Sequence, residues 1–247
     1  MESQRLEDGF AADPYLELET GYYDRVFQRG RGMQWFWHEA RFRRVEEALP
    51  PVYESLLDLG CGAGTFLGRV APSSVRALGL DLAPGQIEYA RERFQRPGLE
   101  FEVADLRALD ARARFDAIVA IEVLEHLPRS GTATFLRRAF EHLEPGGTLV
   151  LTTPNYRSLW PVLERLVSWI GPVDYTTQHI NPFDPARLED EIRAVGFEEV
   201  EVFTFFVSAP FLATVSTRLA DAVLRLEDRW LRRAGAELIA RATRPPA

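Results

Sequence analysis

Lysine is missing from this chain: all 29 basic residues among its 247 are arginine. That removes every Schiff-base, phosphate-loop or general-base lysine from consideration. The bias itself reads as the codon usage of a GC-rich, bacterial genome. Cysteine is nearly missing. Cys61 alone cannot close an intramolecular disulfide, so nothing argues for an oxidising compartment. No run of about 18 uncharged apolar residues occurs, so no membrane span is expected. Residues 1–19 are acidic and lack the basic-then-apolar pattern of a signal segment. Positive charge is scarce overall, with a formal net charge of −8, which disfavours a nucleic-acid partner. The expectation is a soluble, cytoplasmic protein. The charge is uneven, however: residues 211–247 carry seven arginines against four acids, leaving about −11 on the rest.

Apolar residues at 46% and charged residues at 27% are ordinary globular values, and the length suits a single domain. From residue 55 onward, strands alternate with helices in the manner of a parallel sheet covered on both faces. Strands are expected at Ser55–Leu59, Val75–Leu80, Leu99–Val103, Phe115–Ile121 and Thr148–Thr152. Helices are expected from Thr65 to Val70, from Pro84 to the Pro97-Gly98 turn, and from Thr132 to Leu143. Beyond Pro154 the rhythm breaks. Ser158 can cap a helix with Pro161 in its first turn, running to Ile170. A loop to Phe183 holds Tyr175, His179 and Asn181. Then follow a helix at Pro185–Val195, a strand at Glu199–Phe206, one long helix over 211–233 and a last strand at Ala236–Ala242.

The run Leu56-Leu57-Asp58-Leu59-Gly60-Cys61-Gly62-Ala63-Gly64-Thr65 is the most informative. Three glycines between a strand and a helix let a ligand approach the backbone. Asp81, 23 residues after Asp58 at the end of the second strand, can accept ribose hydroxyls. A dinucleotide fingerprint would place a glycine where Thr65 stands, which speaks against a nicotinamide oxidoreductase. An acid beside the turn, Asp58, suits a ligand carrying an ammonium group and no phosphates. That points to S-adenosylmethionine.

LLDLGCGAGTF (56–66), GLDLAP (79–84), EVADL (102–106), FDAIVAIEVLEHLP (115–128) and LEPGGTLVLTTPN (143–155) resemble the successive motifs of class I S-adenosylmethionine-dependent methyltransferases. They fall in that family's order, over roughly residues 35–205. The Glu122-x-x-Glu125-His126 run and Gln178-His179-Ile180-Asn181-Pro182-Phe183 are similar to the group containing the ubiquinone-pathway O-methyltransferases. The resemblance implies an α/β, Rossmann-like doubly wound seven-stranded sheet of order 3-2-1-4-5-7-6, last strand antiparallel, with helical cap insertions. It implies one domain over 1–247: an N-terminal helical cap (1–50), a cofactor-binding half (51–155) and a substrate-side half (156–247) with insertions at 157–183 and 211–233. It also implies that Gly60 and Gly62 contact the methionine moiety while Asp58 supports the turn. Asp81 would take the ribose, Leu82 and Asp105 the adenine, with a backbone amide from Leu106. Ile121 would pack on the cofactor, and Arg41 would hold the methionine carboxylate.

Methyl transfer needs a positioned acceptor, and a base only where the acceptor must lose a proton. His126 and His179 are the candidate bases, with His38 near the pocket; His142 is expected at the surface. Glu122, Glu125 and His126 share a face at helical spacing and suit a divalent ion, yet the same residues can cap a helix, so no metal is assigned. Cys61 is expected to be a packed side chain. Trp160, Leu163, Leu166, Trp169 and Ile170 form an apolar helix that either packs on the sheet or lids an apolar acceptor. Phe211, Val215, Leu219, Val223, Leu226 and Trp230 follow helical spacing within one arc. Core packing, a homodimer contact and a peripheral membrane contact all suit 211–233. The expected reaction is O-methylation of a quinone precursor, lipid or glycolipid. N-methylation of an amino sugar and a non-catalytic cofactor-binding subunit are the alternatives.

Overall fold

The structure is a computed structural model, and it describes residues 19–70, 72, 75–105, 113–170, 178–230 and 234–247, apart from the side chains of Leu166, Val167 and Ile170. Two helices, α1 (Tyr22–Arg29) and α2 (Met33–Ala48), precede the sheet. The alternating part follows as β1 (Ser55–Leu59), α3 (Thr65–Val70), β2 (Arg76–Asp81), α4 (Pro84–Arg93), β3 (Leu99–Val103), β4 (Phe115–Ile121), α5 (Arg129–His142) and β5 (Leu143–Pro154). After it come α6 (Trp160–Ile170), α7 (Pro185–Val195), β6 (Glu198–Phe205), α8 (Ala209–Leu212), α9 (Thr217–Trp230) and β7 (Glu237–Thr243).

Seven strands form one sheet in the order β3-β2-β1-β4-β5-β7-β6, with β7 antiparallel to both neighbours. β1 is buried along its whole length, as an interior parallel strand must be, and its run SLLDL carries no alternation. Leu143 pairs with Phe115 ahead of a Pro145-Gly146-Gly147 bulge, and the regular ladder starts at Ala117 opposite Thr148. Two buried clusters cover the sheet. One joins α2, α3 and α4 to residues such as Leu56, Val119 and Val150. The other joins α5 and α7 to Leu57, Ile118, Leu149 and Leu238.

The long helix expected over 211–233 is not continuous. It is two helices, α8 and α9, parted at Ala213–Ser216, and residues 231–233 lie outside the described residues. Thr214, Val215 and Thr217 are β-branched and propagate a helix poorly. Ser216 gives the second helix its own start, its Oγ accepting from the Leu219 amide at 3.3 Å.

Candidate active site

β1 lies between β2 and β4, and the chain leaves it on opposite sides, so a crevice opens at the carboxyl ends of these strands. The glycine turn lines it. The amides of Gly60 and Cys61 both donate to the Leu80 carbonyl, at 2.8 and 3.0 Å, which sews the turn to β2. Gly60 has φ +77°, and a Cβ there would stand 2.6 Å from Val123 Cγ2, so both conformation and space demand glycine. Asp58 is buried beneath the turn and its Oδ1 has no hydrogen-bond partner. Burial, then repulsion from Asp81, pushes its carboxyl up to about 8. A buried acid with an unused oxygen fits the ammonium group of an amino-acid ligand. Cys61 is packed, as expected, and burial pushes its thiol up.

Asp81 holds the turn: its Oδ2 accepts from the Gly62 amide and its Oδ1 from the Ala83 amide, both at 2.8 Å. A carboxylate oxygen can accept more than one hydrogen bond, and ribose hydroxyls would be bound in that way. Leu82 is 48% exposed at the mouth of the crevice. Asp105 is half-buried just beyond β3, and Ile121 half-buried at the end of β4. Leu106 lies outside the described residues.

Arg41 arrives from α2. Its Nε donates to Glu237 Oε2 at 2.8 Å, its Nη2 reaches Glu237 Oε1 and also Glu122 Oε2 at 3.3 Å, and Trp37 Nε1 donates to Glu237 as well. The edge of the guanidinium expected to meet a methionine carboxylate is therefore taken by Glu237. Only Nη1 faces elsewhere, 3.4 Å from His38 Nδ1. Because β7 is antiparallel, it delivers its first residue, Glu237, to the crevice. Burial, then the charge of Arg41, lowers His38 to about 3. Glu122 sits at φ +55°, and Thr152 Oγ1 donates to its carboxylate at 2.9 Å. Burial pushes its carboxyl up despite Arg41.

The two histidines expected to act as bases do come together. The Gln178–Phe183 loop docks on the Leu124–His126 turn: the Ile180 and Asn181 amides donate to the Glu125 carbonyl at 3.0 and 3.1 Å. Asn181 Nδ2 adds bonds to the Leu124 carbonyl and to Thr132 Oγ1. The rings of His126 and His179 are 5.1 Å apart. His179 Nδ1 lies 2.5 Å from Glu164 Oε1, and Tyr156 donates its hydroxyl to the same oxygen at 2.6 Å. In the tautomer that donates from Nδ1 to Glu164, the ring's acceptor nitrogen is Nε2. Glu125 is fully buried. Its Oε2 accepts from Thr153 and its Oε1 has no partner, and burial pushes its carboxyl up.

Among the described residues, the set able to hold a metal is Glu125, His126 and His179, with one ligand atom from each within 4.8 Å of the others, and not the Glu122-Glu125-His126 face suggested by spacing. The left-handed backbone at Glu122 ends β4 before the turn, which sends that side chain to Arg41 instead. His142 is also corrected: it is buried at the end of α5, its Nδ1 2.9 Å from the Ala113 carbonyl. Sequence reasoning missed Glu164 and Glu237. Each is an acid in an apolar run, Leu159–Ile170 and Ala236–Ala242, and a carboxylate among core residues calls for a partner.

The methyltransferase-domain family profile matches residues 30–202. A ubiquinone biosynthesis O-methyltransferase of Azorhizobium caulinodans is 32% identical over 174 residues, which is 68% of this chain and 66% of that protein. The chain thus spans just under two thirds of that relative's length. Among solved structures, an S-adenosylmethionine-dependent methyltransferase of Thermotoga maritima, described as a possible histamine N-methyltransferase, superposes with a TM-score of 0.67 at 19% identity. The superposition covers 94% of this chain and 98% of that one. A Haemonchus contortus phosphoethanolamine N-methyltransferase in complex with S-adenosylmethionine gives 0.65 at 16% identity, over 96% and 61%. At those identities the structures speak for the fold, while the profile speaks for descent. The chain belongs to the S-adenosylmethionine-dependent methyltransferase-domain family.

Proposed function

We propose that this protein methylates an oxygen of a small apolar or amphiphilic acceptor, such as a hydroxylated quinone precursor or lipid. The observation that carries this reading is His179, buried beside the crevice with its Nδ1 on Glu164. The cofactor, when bound, supplies a methyl group on a sulfonium. Asp58, the backbone at Gly60 and Gly62, and Arg41 Nη1 would hold its amino-acid end. Asp81, Leu82, Asp105 and Ile121 would hold its nucleoside.

The chain's own work is to orient the acceptor hydroxyl and to take its proton. Moving a phenolic proton, pKa about 10, to an ordinary imidazole, about 6.5, is uphill by about 5 kcal/mol, and the Glu164 carboxylate on Nδ1 holds the ring in orientation for that transfer. An aliphatic hydroxyl is a far weaker acid, so the pair favours a phenolic or enolic acceptor. An amine needs no base to attack. Trp160 lies over His179, ring centres 6.2 Å apart, and Trp37 lies 5.7 Å from Trp160, so the base opens onto an aromatic wall. That wall supports an apolar acceptor.

The unpartnered Glu125 oxygen favours a second reading, in which a divalent ion on Glu125, His126 and His179 binds the acceptor's oxygens. Transfer of labelled methyl to a panel of phenols, lipids and amino sugars is the test. Phenols are expected to be methylated, with kcat about a hundredfold lower in His179→Ala. Methylation of amino sugars alone, undiminished in that variant, would overturn the reading. Loss of turnover on chelation, restored by a divalent ion, would select the second.

A further inference from the structure

Helix α9 exposes the wrong residues for a helix that merely covers a core. Leu219 is 47% exposed, Leu226 58% and Trp230 72%, with Val215 just ahead of the helix at 82%. Its buried residues are Ala220, Leu224 and Glu227, with Val223 half-buried against the core. The arc of apolar residues read from the spacing is real on α9: its Val223 edge rests on the core, and Leu219, Leu226 and Trp230 stand exposed.

The acids of α9 have been withdrawn from that outward face. Asp221 accepts from Arg43 of α2 at 2.9 Å, and Asp228 pairs with Arg44. Glu227 is buried and accepts from the backbone amides of Val207, Ser208 and Ala209. Arg218, Arg225 and Arg229 remain, all exposed and none with a carboxylate partner among the described residues. At about 100° per residue, these arginines fall within about 40° of one another. They flank the stripe of Leu219, Val223, Leu226 and Trp230, which spans about 60°. On a chain of net charge −8, this is a local cationic and apolar surface whose partly exposed acids, Asp221 and Asp228, are paired with Arg43 and Arg44.

We infer that α9 is an interfacial helix that lays Leu219, Leu226 and Trp230 into an anionic lipid surface while Arg218, Arg225 and Arg229 contact its phosphates. An apolar stripe beside a row of cations is what binding in the plane of such an interface requires. α6 offers further exposed apolar side chains, Leu159, Val162 and Trp169 at 67%, 65% and 84%. Leu163 of α6 and Leu212 of α8 rest on one core cluster. No helix among the described residues is long and apolar enough to cross a membrane, so the contact lies on the surface. The family profile ends at residue 202, ahead of α8 and α9. This surface does not depend on which acceptor is methylated.

The test is flotation of the full chain with vesicles of phosphatidylcholine alone and of phosphatidylcholine with added phosphatidylglycerol. Binding is expected only with the anionic lipid, and it should weaken as salt is raised. Reversing Arg218, Arg225 and Arg229 to Glu together should lower partitioning at least about a hundredfold. A Leu219→Ser, Leu226→Ser, Trp230→Ser variant should also fail to float. Both variants should keep wild-type affinity for S-adenosylhomocysteine, which reports an intact fold. Absence of flotation in the wild type, or flotation unchanged in the variants, would overturn the inference. So would a vesicle-independent dimer, seen in sedimentation velocity, that the same variants dissociate; the occupant would then be a second copy of the chain.

Discussion

The raised carboxyl of Asp58 makes cofactor affinity depend on pH in a calculable way. With the crevice empty, Asp58 titrates near 8, so at pH 6.0 ionising it costs about 2.7 kcal/mol. An ammonium group placed against its unpartnered Oδ1 returns the carboxyl to its charged form, and binding then releases a proton. The ligand's own α-amino group, pKa about 7.7–8.0, stays protonated below pH 7 and adds no slope there. Linkage then gives a Kd for S-adenosylmethionine about ninefold smaller at pH 7.0 than at pH 6.0, with an optimum near pH 8 where acid and amine cross. Calorimetric titration in buffers of different ionisation heat would read both the Kd and the number of protons released, expected to be about one. Asp58→Asn should bind roughly tenfold or more weakly at pH 8 and lose this slope. A pH-independent Kd in the wild type, or an undiminished slope in Asp58→Asn, would refute the reasoning.

Three further outcomes are expected. Gly60→Ala meets both a left-handed backbone and Val123 at 2.6 Å, so thermal unfolding should show a loss of about 1–3 kcal/mol and calorimetry a loss of cofactor binding. Glu164→Gln keeps the contact with His179 but not the charge. On a phenolic acceptor kcat should then fall about tenfold with KM unchanged, whereas a merely structural role for Glu164 would move both. His38 is held neutral by burial, so folding stability is full above pH 6.5 and declines as pH falls from there toward 3; urea unfolding of His38→Gln should show a shallower decline.

Local signals carried much of the scaffold. The bounds of β1, β3, β4 and α7 coincide with the runs read from the chain, because β1 and β4 are mostly apolar, β3 alternates as an edge strand does, and the ends are marked by glycine, proline or aspartate. The glycine turn and its two acids were legible for the same reason, since a tight turn needs its residue types within a few positions. The strand order and the identity of the ligand rested on resemblance. The rest depends on contacts between distant positions. Nothing near Arg41 announces Glu237, and nothing near His179 announces Glu164. Periodicity also reports an apolar arc without saying which way it faces, which is why 211–233 suits a core, a dimer and a membrane contact alike until the partners of Asp221, Glu227 and Asp228 are seen.

The grip of Glu237 on Arg41 joins residues 196 positions apart, and Trp37 meets the same carboxylate from 200 positions away. Contacts of such separation form late, after the cost of closing the chain between them has been met. During synthesis on the ribosome, the strands that carry the glycine turn and Asp81 emerge first and can pair. The crevice nonetheless lacks one wall until β7 is made and threads between β5 and β6. A nascent chain stalled before that point would hold a buried arginine without its main counter-charge. The crevice is therefore complete only once β7 has paired with β5 and β6.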